Sequence, residues 1–243
     1  MSDIVELRQY TMRPGKRDVL IDLFDREFIE PQEAAGMTVI GQFTNIDDPN
    51  KFVWLRSYPD MDTRRNALTT FYGGPVWKSH RDAANATIID NDNVLLLRPV
   101  RPRGGFPAVP RVPGAGGPAR GVVIASIYHL DTTAEKEVEF TVFFERDITP
   151  LLRDAGVPVI ASFILERSVN TFPALPVREG EHVFVWFSSF PTLDAYEQAR
   201  QALATQPAWC DNAEVLLSAK IREPQTLRLS PTARSRWPAS GHG

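Results

Sequence analysis

A single cysteine, Cys210, stands in 243 residues, so no internal disulfide can form and no CxxC redox or metal motif exists. Cys210 follows Trp209 in an expected helical segment with no special basic surroundings, and it reads as a small half-buried residue rather than a nucleophile. Long apolar runs are missing as well. None approaches the roughly 18 to 20 residues that span a bilayer, and Met1 to Leu7 lack the basic and apolar regions of a signal peptide. A cytoplasmic protein is expected. Neither charge sign dominates: 27 Lys and Arg face 30 Asp and Glu, with a pI near 5.9. There is no basic stripe with interleaved aromatics, so nucleic acid is not expected as a partner. A glycine-rich phosphate loop, a serine nucleophile elbow and an HExxH motif are all absent. Asp47-Asp48, Asp90 with Asp92, and Glu135 with Glu137 have no companion histidine, so no metal is expected.

What is present is a repeat. Ala35-Gly36-Met37-Thr38-Val39-Ile40-Gly41-Gln42-Phe43 answers to Ala155-Gly156-Val157-Pro158-Val159-Ile160-Ala161-Ser162-Phe163, an offset of 120. Beyond position 163 the offset becomes 132: Phe52-Val53-Trp54 matches Phe184-Val185-Trp186, and Pro75-Val76-Trp77 matches Pro207-Ala208-Trp209. The second copy thus carries about twelve extra residues between Leu165 and His182. Val94-Leu95-Leu96 falls near Val215-Leu216-Leu217, and Tyr10 answers to Tyr128.

Within one copy, Val5, Leu7 and Gln9 alternate with Glu6, Arg8 and Tyr10 as in a strand. Val19, Leu20, Leu23, Phe24 and Phe28 form a helical stripe that Gly36 ends. Strands follow at Val39–Thr44 and Phe52–Tyr58, then a helix after Pro59 and a strand at Asn93–Arg98. The order β-α-β-β-α-β is the ferredoxin-like split arrangement. The expected fold is α+β: two tandem ferredoxin-like units packed sheet to sheet as a pseudo-dimeric α+β barrel. Units are expected at 1–100 and 121–224, joined by a Pro/Gly-rich linker at 101–120. A polar tail at 225–243 is expected to wrap the surface or stay unstructured.

Glu6-Leu7-Arg8-Gln9-Tyr10, Pro14-Gly15-Lys16, Gly36 before a strand, Trp54 with Tyr58, and Pro75-Val76-Trp77 resemble the NIPSNAP family. The second copy keeps the later tryptophans but has Ile124-Ala125-Ser126-Ile127-Tyr128 where the opening motif would stand. The resemblance implies a dimeric α+β barrel, here with both halves in one chain. It names no common reaction.

Alternation sorts each strand into two faces. Val5, Leu7, Val53 and Leu55 suit a helix-covered face, which sends Glu6, Arg8, Tyr10, Trp54, Arg56 and Tyr58 into the barrel. The matching positions of the second copy are Ile124, Ser126, Tyr128, Trp186, Ser188 and Phe190. One pocket with a polar wall and an apolar wall (Tyr128, Trp186, Phe190) is expected, suited to a small, partly apolar ligand bearing a carboxylate, phenolate or carbonyl. Arg8 and Arg56 would hold its oxygen, Glu6 would shuttle a proton, and Tyr10 and Tyr58 would orient it. Such a protein would be a cofactor-independent enzyme of isomerisation, cyclisation or oxygenation. The alternatives are that Glu6, Arg8 and Arg56 form only a structural ion network, and that the chain is a non-catalytic binding or scaffold protein. Self-association stays open. Haem-binding relatives in the wider barrel group make His80 the one candidate axial ligand, although no haem motif accompanies it. The inserted segment 166–181, with Phe172-Pro173-Ala174-Leu175-Pro176, reads as a lid, or as cover for a sheet edge or a second subunit.

Overall fold

Strand alternation and helical periodicity place the elements of the first half in the expected order. The computed structural model describes residues 4–102, 104–107, 121–130, 133–219 and 223–237. The first half contains β1 (Ile4–Met12), helix α1 (residues 17–34), β2 (Thr38–Asn45) and β3 (Lys51–Tyr58). Helices α2 (Met61–Gly73) and α3 (Pro75–Asn85), the short β4 (Ile88–Asp90) and β5 (Val94–Pro99) follow. The second half runs β6 (Val122–His129), α4 (residues 134–154), β7 (Ala161–Leu165), β8 (Val183–Phe190), α5 (Leu193–Ala204), α6 (Pro207–Ser218) and β9 (Gln225–Pro231).

Local chemistry repeats with the elements. Gly36 and Gly156 end the first helix of each half with φ of 99° and 79°, a region that glycine enters without strain. Asp60 caps α2 by accepting from the Thr63 amide, and Thr192 caps α5 from the Ala195 amide. Pro75 and Pro207 open α3 and α6, where a missing N–H costs nothing. Both long helices widen to a π turn, at Phe24–Phe28 and Phe144–Ile148. Each precedes a proline (Pro31, Pro150) that cannot donate to the preceding turn, a common cause of such distortion.

The strands of the first half order as β2-β3-β1-β5 and those of the second as β7-β8-β6-β9. The halves join edge to edge, β5 to β7 and β2 to β9, all antiparallel. A closed eight-stranded barrel results, with β4 attached to β1 outside the ring. Closure leaves no free edge along the ring.

Three apolar layers hold this body. Val5, Leu7, Val53, Leu55, Val123, Ala125, Val185 and Phe187 share one core inside the barrel. A second core lies between the first sheet and α1 to α3, and a third between the second sheet and α4 to α6. Here the structure corrects the face assignment. Glu6, Arg8, Tyr10, Trp54, Arg56 and Tyr58 lie under the helices, not inside the barrel. Both faces of β1, β3, β6 and β8 are buried almost throughout, so alternation alone cannot say which is which. An eight-stranded barrel is just wide enough to be filled by its own side chains, and the aliphatic set fills it.

The C-terminal segment needs a second correction. Val215-Leu216-Leu217 belong to helix α6, and the fourth strand of the second half is β9, inside the stretch expected to be tail. Beyond it, Trp237 enters the barrel core against Phe43, Phe106 and Phe187. Phe106 comes from the expected linker, so that segment is more than a spacer. Most of the linker lies outside the described residues. Among the described residues no helix is long and apolar enough to cross a membrane.

Candidate functional site

Antiparallel register sets Glu6 opposite Arg56, Arg8 opposite Trp54, and Tyr10 opposite Phe52. On the helix-covered face these side chains converge. Glu6 Oε2 accepts from Arg8 Nη1 at 2.8 Å and Arg56 Nε at 2.7 Å, and Oε1 accepts from Arg64 Nε at 2.7 Å. Arg64, from α2, was not foreseen. The available signal was its spacing, because Arg64 lies on the same stripe as Ala67, Leu68 and Phe71.

All four charged side chains are fully buried, so one carboxylate faces three cations away from water. Burying such charges is costly unless each is paired and hydrogen-bonded. Arg56 Nη1 donates to Gln32 Oε1 at 3.0 Å, Arg64 Nη1 to Asn170 Oδ1 at 2.9 Å, and Arg8 Nε to the Tyr10 hydroxyl at 3.1 Å. Aromatic faces supply the rest: Arg56 lies 4.9 Å from the Trp54 ring centre, and Arg8 lies 5.5 Å from both Trp54 and Tyr10. The Nη2 atom of each arginine and Trp54 Nε1 find no partner among the described residues.

Titration behaviour follows from this packing. Burial alone would raise the Glu6 carboxyl, but Arg56, Arg8 and Arg64 outweigh it and hold it far below the usual carboxylate range. Burial raises the Tyr10 and Tyr58 phenols, against a lowering by Arg8 and Arg56 respectively, so both stay protonated.

In front of this cluster lies a cavity of about 60 Å³ between the sheet and the helices. Tyr10 and Trp54 line it from the sheet, Phe24, Phe28 and Gln32 from α1, and Phe71, Tyr72 and Trp77 from α2 and α3. Asn85 and Asn91 stand at its rim. The π turn of α1 therefore carries two cavity-lining rings, a placement that π segments often have. The guanidinium groups sit one aromatic layer behind the wall, and the Tyr10 hydroxyl connects them to it.

The expected apolar wall is elsewhere. Tyr128, Trp186 and Phe190 pack in the helix layer of the second half, against Phe140, Phe144 and Tyr196 respectively. The expected polar and apolar walls do not face one another across a pocket, because the filled barrel core separates their helix layers. In the second layer, burial pushes the Tyr128 phenol up to about 12. Ile124, Ser126, Ser188 and Tyr196 occupy the positions of Glu6, Arg8, Arg56 and Arg64, so the ion cluster has no counterpart at these positions.

His80 does not line the cavity. Its ring edges onto Phe28 at 6.2 Å and its Nε2 faces Glu27 at 3.5 Å. A closely packed cavity of this size does not fit a haem held by His80. Among the described residues no group of three or more His, Cys, Asp or Glu side chains could hold a metal ion.

The inserted segment crosses from the second half onto the first. Thr171 Oγ1 donates to the Met61 carbonyl at 3.2 Å, Phe172 stacks on Tyr72 at 5.9 Å, and Leu175 reaches the cavity wall.

Among curated proteins no sequence matches this chain. Among solved structures, a candidate monooxygenase from Lactobacillus acidophilus superposes with a TM-score of 0.58 at 10% identity, covering 98% of both chains. An anthrone oxidase-like protein gives 0.56 at 13% identity, covering 100% of this chain and 98% of its own. These likenesses establish the dimeric α+β barrel fold. A NIPSNAP-like domain protein from Burkholderia xenovorans is 27% identical over 44% of this chain and 90% of its own, with a TM-score of 0.38. Residues 5–102, within the first half of this chain, match the NIPSNAP family model.

Proposed function

We propose that the cavity over Tyr10 and Trp54 binds a small, flat, largely apolar molecule through a carbonyl, enolate or phenolate oxygen, and that the protein acts on it without a resident cofactor. The observation that carries this reading is the state of Tyr10. Its ring lines the cavity, its hydroxyl accepts from Arg8 Nε at 3.1 Å, and no described residue accepts its proton. A hydroxyl polarised by a cation is a strong donor, and an oxygen of a ligand in the cavity that Tyr10 lines would supply the acceptor it lacks among the described residues. Behind it stand three guanidinium groups fixed by one carboxylate. Negative charge growing on a ligand oxygen would meet donors and positive field arranged in advance.

Glu6 is not suited to the proton shuttle first expected of it, since three arginines lock its ionised form. The cavity lining contains no carboxylate and no histidine. The favoured substrates are therefore those that arrive already ionised, such as acidic phenols and the enolates of 1,3-dicarbonyl compounds. A stabilised enolate or phenolate is the common requirement of isomerisation, cyclisation and oxygenation. Oxygen-dependent chemistry is the one that the descriptions of the two fold relatives share.

The test is a titration of the full chain with 2-naphthol, 1-hydroxy-2-naphthoate and naphthalene, followed by the fluorescence of Trp54 and Trp77, with oxygen uptake recorded alongside. The oxygen-bearing probes should bind at least tenfold more tightly than naphthalene. Equal binding of all three, or none, would overturn the reading. A non-catalytic binding protein would bind them with no turnover.

A further inference from the structure

We infer that loop 166–181 of the second half is the specificity-determining cover of the first half's cavity, with Leu175 setting the length of ligand that fits. This inference rests on the cavity being a ligand site.

The loop is an asymmetric feature. β2 and β3 are joined by residues 46–50, whereas β7 and β8 are joined by residues 166–182. Its two ends are fastened to the first half, where the Glu166 amide donates to the Leu96 carbonyl and the Arg178 amide to the Val94 carbonyl, both at 2.8 Å. Its tip is a tight internal turn. Asn170 Oδ1 accepts from the Phe172 amide at 3.1 Å, and Asn170 Nδ2 donates to the Leu175 carbonyl at 2.9 Å. The tip touches the first half through the Phe172–Tyr72 stack, the hydrogen bonds of Arg64 to Asn170 and Thr171, and the Thr171–Met61 bond.

Volume decides which wall yields. A cavity of about 60 Å³ holds about two waters, whereas a benzene-sized guest occupies an apolar cavity on the order of 150 Å³. An aromatic ligand therefore needs the cavity to grow. The sheet side is pinned by the barrel core and the ion cluster, and the helix side by interlocked rings such as Phe28, Phe71 and Trp77. Two lining segments lie outside regular structure: Asn91, in the three-residue link between β4 and β5, and the loop tip, which belongs to a 17-residue connection anchored at its base and so can lift while its ends hold. Leu175 and Phe172 then decide how far a ligand extends, and Arg64 reports the position of the tip to Glu6.

The experiment compares wild type, Leu175→Ala and Leu175→Trp in the full chain with one-ring, two-ring and three-ring phenols (phenol, 2-naphthol, 2-hydroxyanthracene). Leu175→Ala should raise the affinity ratio of the three-ring to the one-ring probe at least fivefold. Leu175→Trp should lower it by a similar factor while phenol binding stays within twofold. If wild type binds these probes and both ratios stay within twofold, the cover inference is overturned while the ligand site stands. If wild type binds none of them, the ligand site itself falls. Hydrogen exchange on the wild-type protein gives a readout independent of folding of the variants. Bound 2-hydroxyanthracene should change protection of residues 168–177 more than phenol does, and equal protection with both would also overturn the inference.

Discussion

Arg64 Nη1 donates to Asn170 Oδ1 at 2.9 Å, joining a buried side chain of the first half to the long loop of the second. The same guanidinium holds Glu6 through Nε at 2.7 Å. A disturbance at Glu6 therefore reaches the loop through a single side chain.

Glu6→Gln removes the only negative charge among three buried cations. Breaking a buried ion pair from one side costs about 3 to 5 kcal/mol, and urea unfolding of the variant should show a loss of this size. Glu27→Gln is the control, because Glu27 pairs with Arg26 and His80 near the surface, and its change should stay within about 0.5 kcal/mol. Comparable losses in the two variants would contradict the buried network.

The pH dependence has a definite sign. Glu6 has an ordinary value of 4.5 and is strongly depressed in the folded state. A depressed carboxyl contributes stability that is fully present above its unfolded pKa and lost as pH falls toward its folded pKa. The gap in urea midpoint between wild type and Glu6→Gln should therefore be constant from pH 7 to about 5 and narrow steadily below 4.5. A gap that stayed constant down to pH 3 would show that the carboxyl is not depressed.

Tyr10→Phe keeps the ring that lines the cavity and removes the hydroxyl between Arg8 and the ligand. A hydrogen bond to a charged or strongly polarised oxygen contributes about 1.5 to 3 kcal/mol, so affinity for 2-naphtholate-type ligands should drop roughly 10- to 100-fold. Naphthalene binding should change little. Calorimetric titration of both ligands decides the matter, and an equal effect on the two would remove Tyr10 from the binding role.

Ending the chain after Pro224 deletes β9 and with it the pairing of β2 and β6 across the closing seam. Two open edges and an uncovered barrel core should give an insoluble or loosely packed protein, read by soluble yield and near-ultraviolet circular dichroism. A truncated protein that melts like the full chain would contradict barrel closure.

How far the sequence could be read depended on whether a signal was local. Matching tryptophans placed Trp54 with Trp186 on β3 and β8, and Trp77 with Trp209 at the starts of α3 and α6, since each sits in a repeated local context. The members of the ion cluster on β1 and β3 were equally legible, because period-two alternation puts Glu6, Arg8 and Arg56 on one face. Which face that was could not be read, as closure into a barrel buries both. Val215 to Leu217 suggested a strand by composition, but the helix begun at Pro207 continues through them, and β9 has Arg228 and Ser230 where a core strand would be apolar. The apolar run from Phe172 to Pro176 suggested a lid as one of several readings, but the surface it meets and the bond from Arg64 to Asn170 were not legible, because they depend on a contact between segments about 100 residues apart.

The replacement of Glu6, Arg8, Arg56 and Arg64 by Ile124, Ser126, Ser188 and Tyr196 leaves the molecule lopsided in what it tolerates. A pair of identical chains would have to desolvate the same charges twice. One continuous chain does so once, and its second lobe is released to serve as ballast. Thermal robustness can therefore be tuned in the layer around Phe144 and Trp186, on the far side of the barrel from Tyr10, by repacking residues that do not line the cavity over Tyr10 and Trp54.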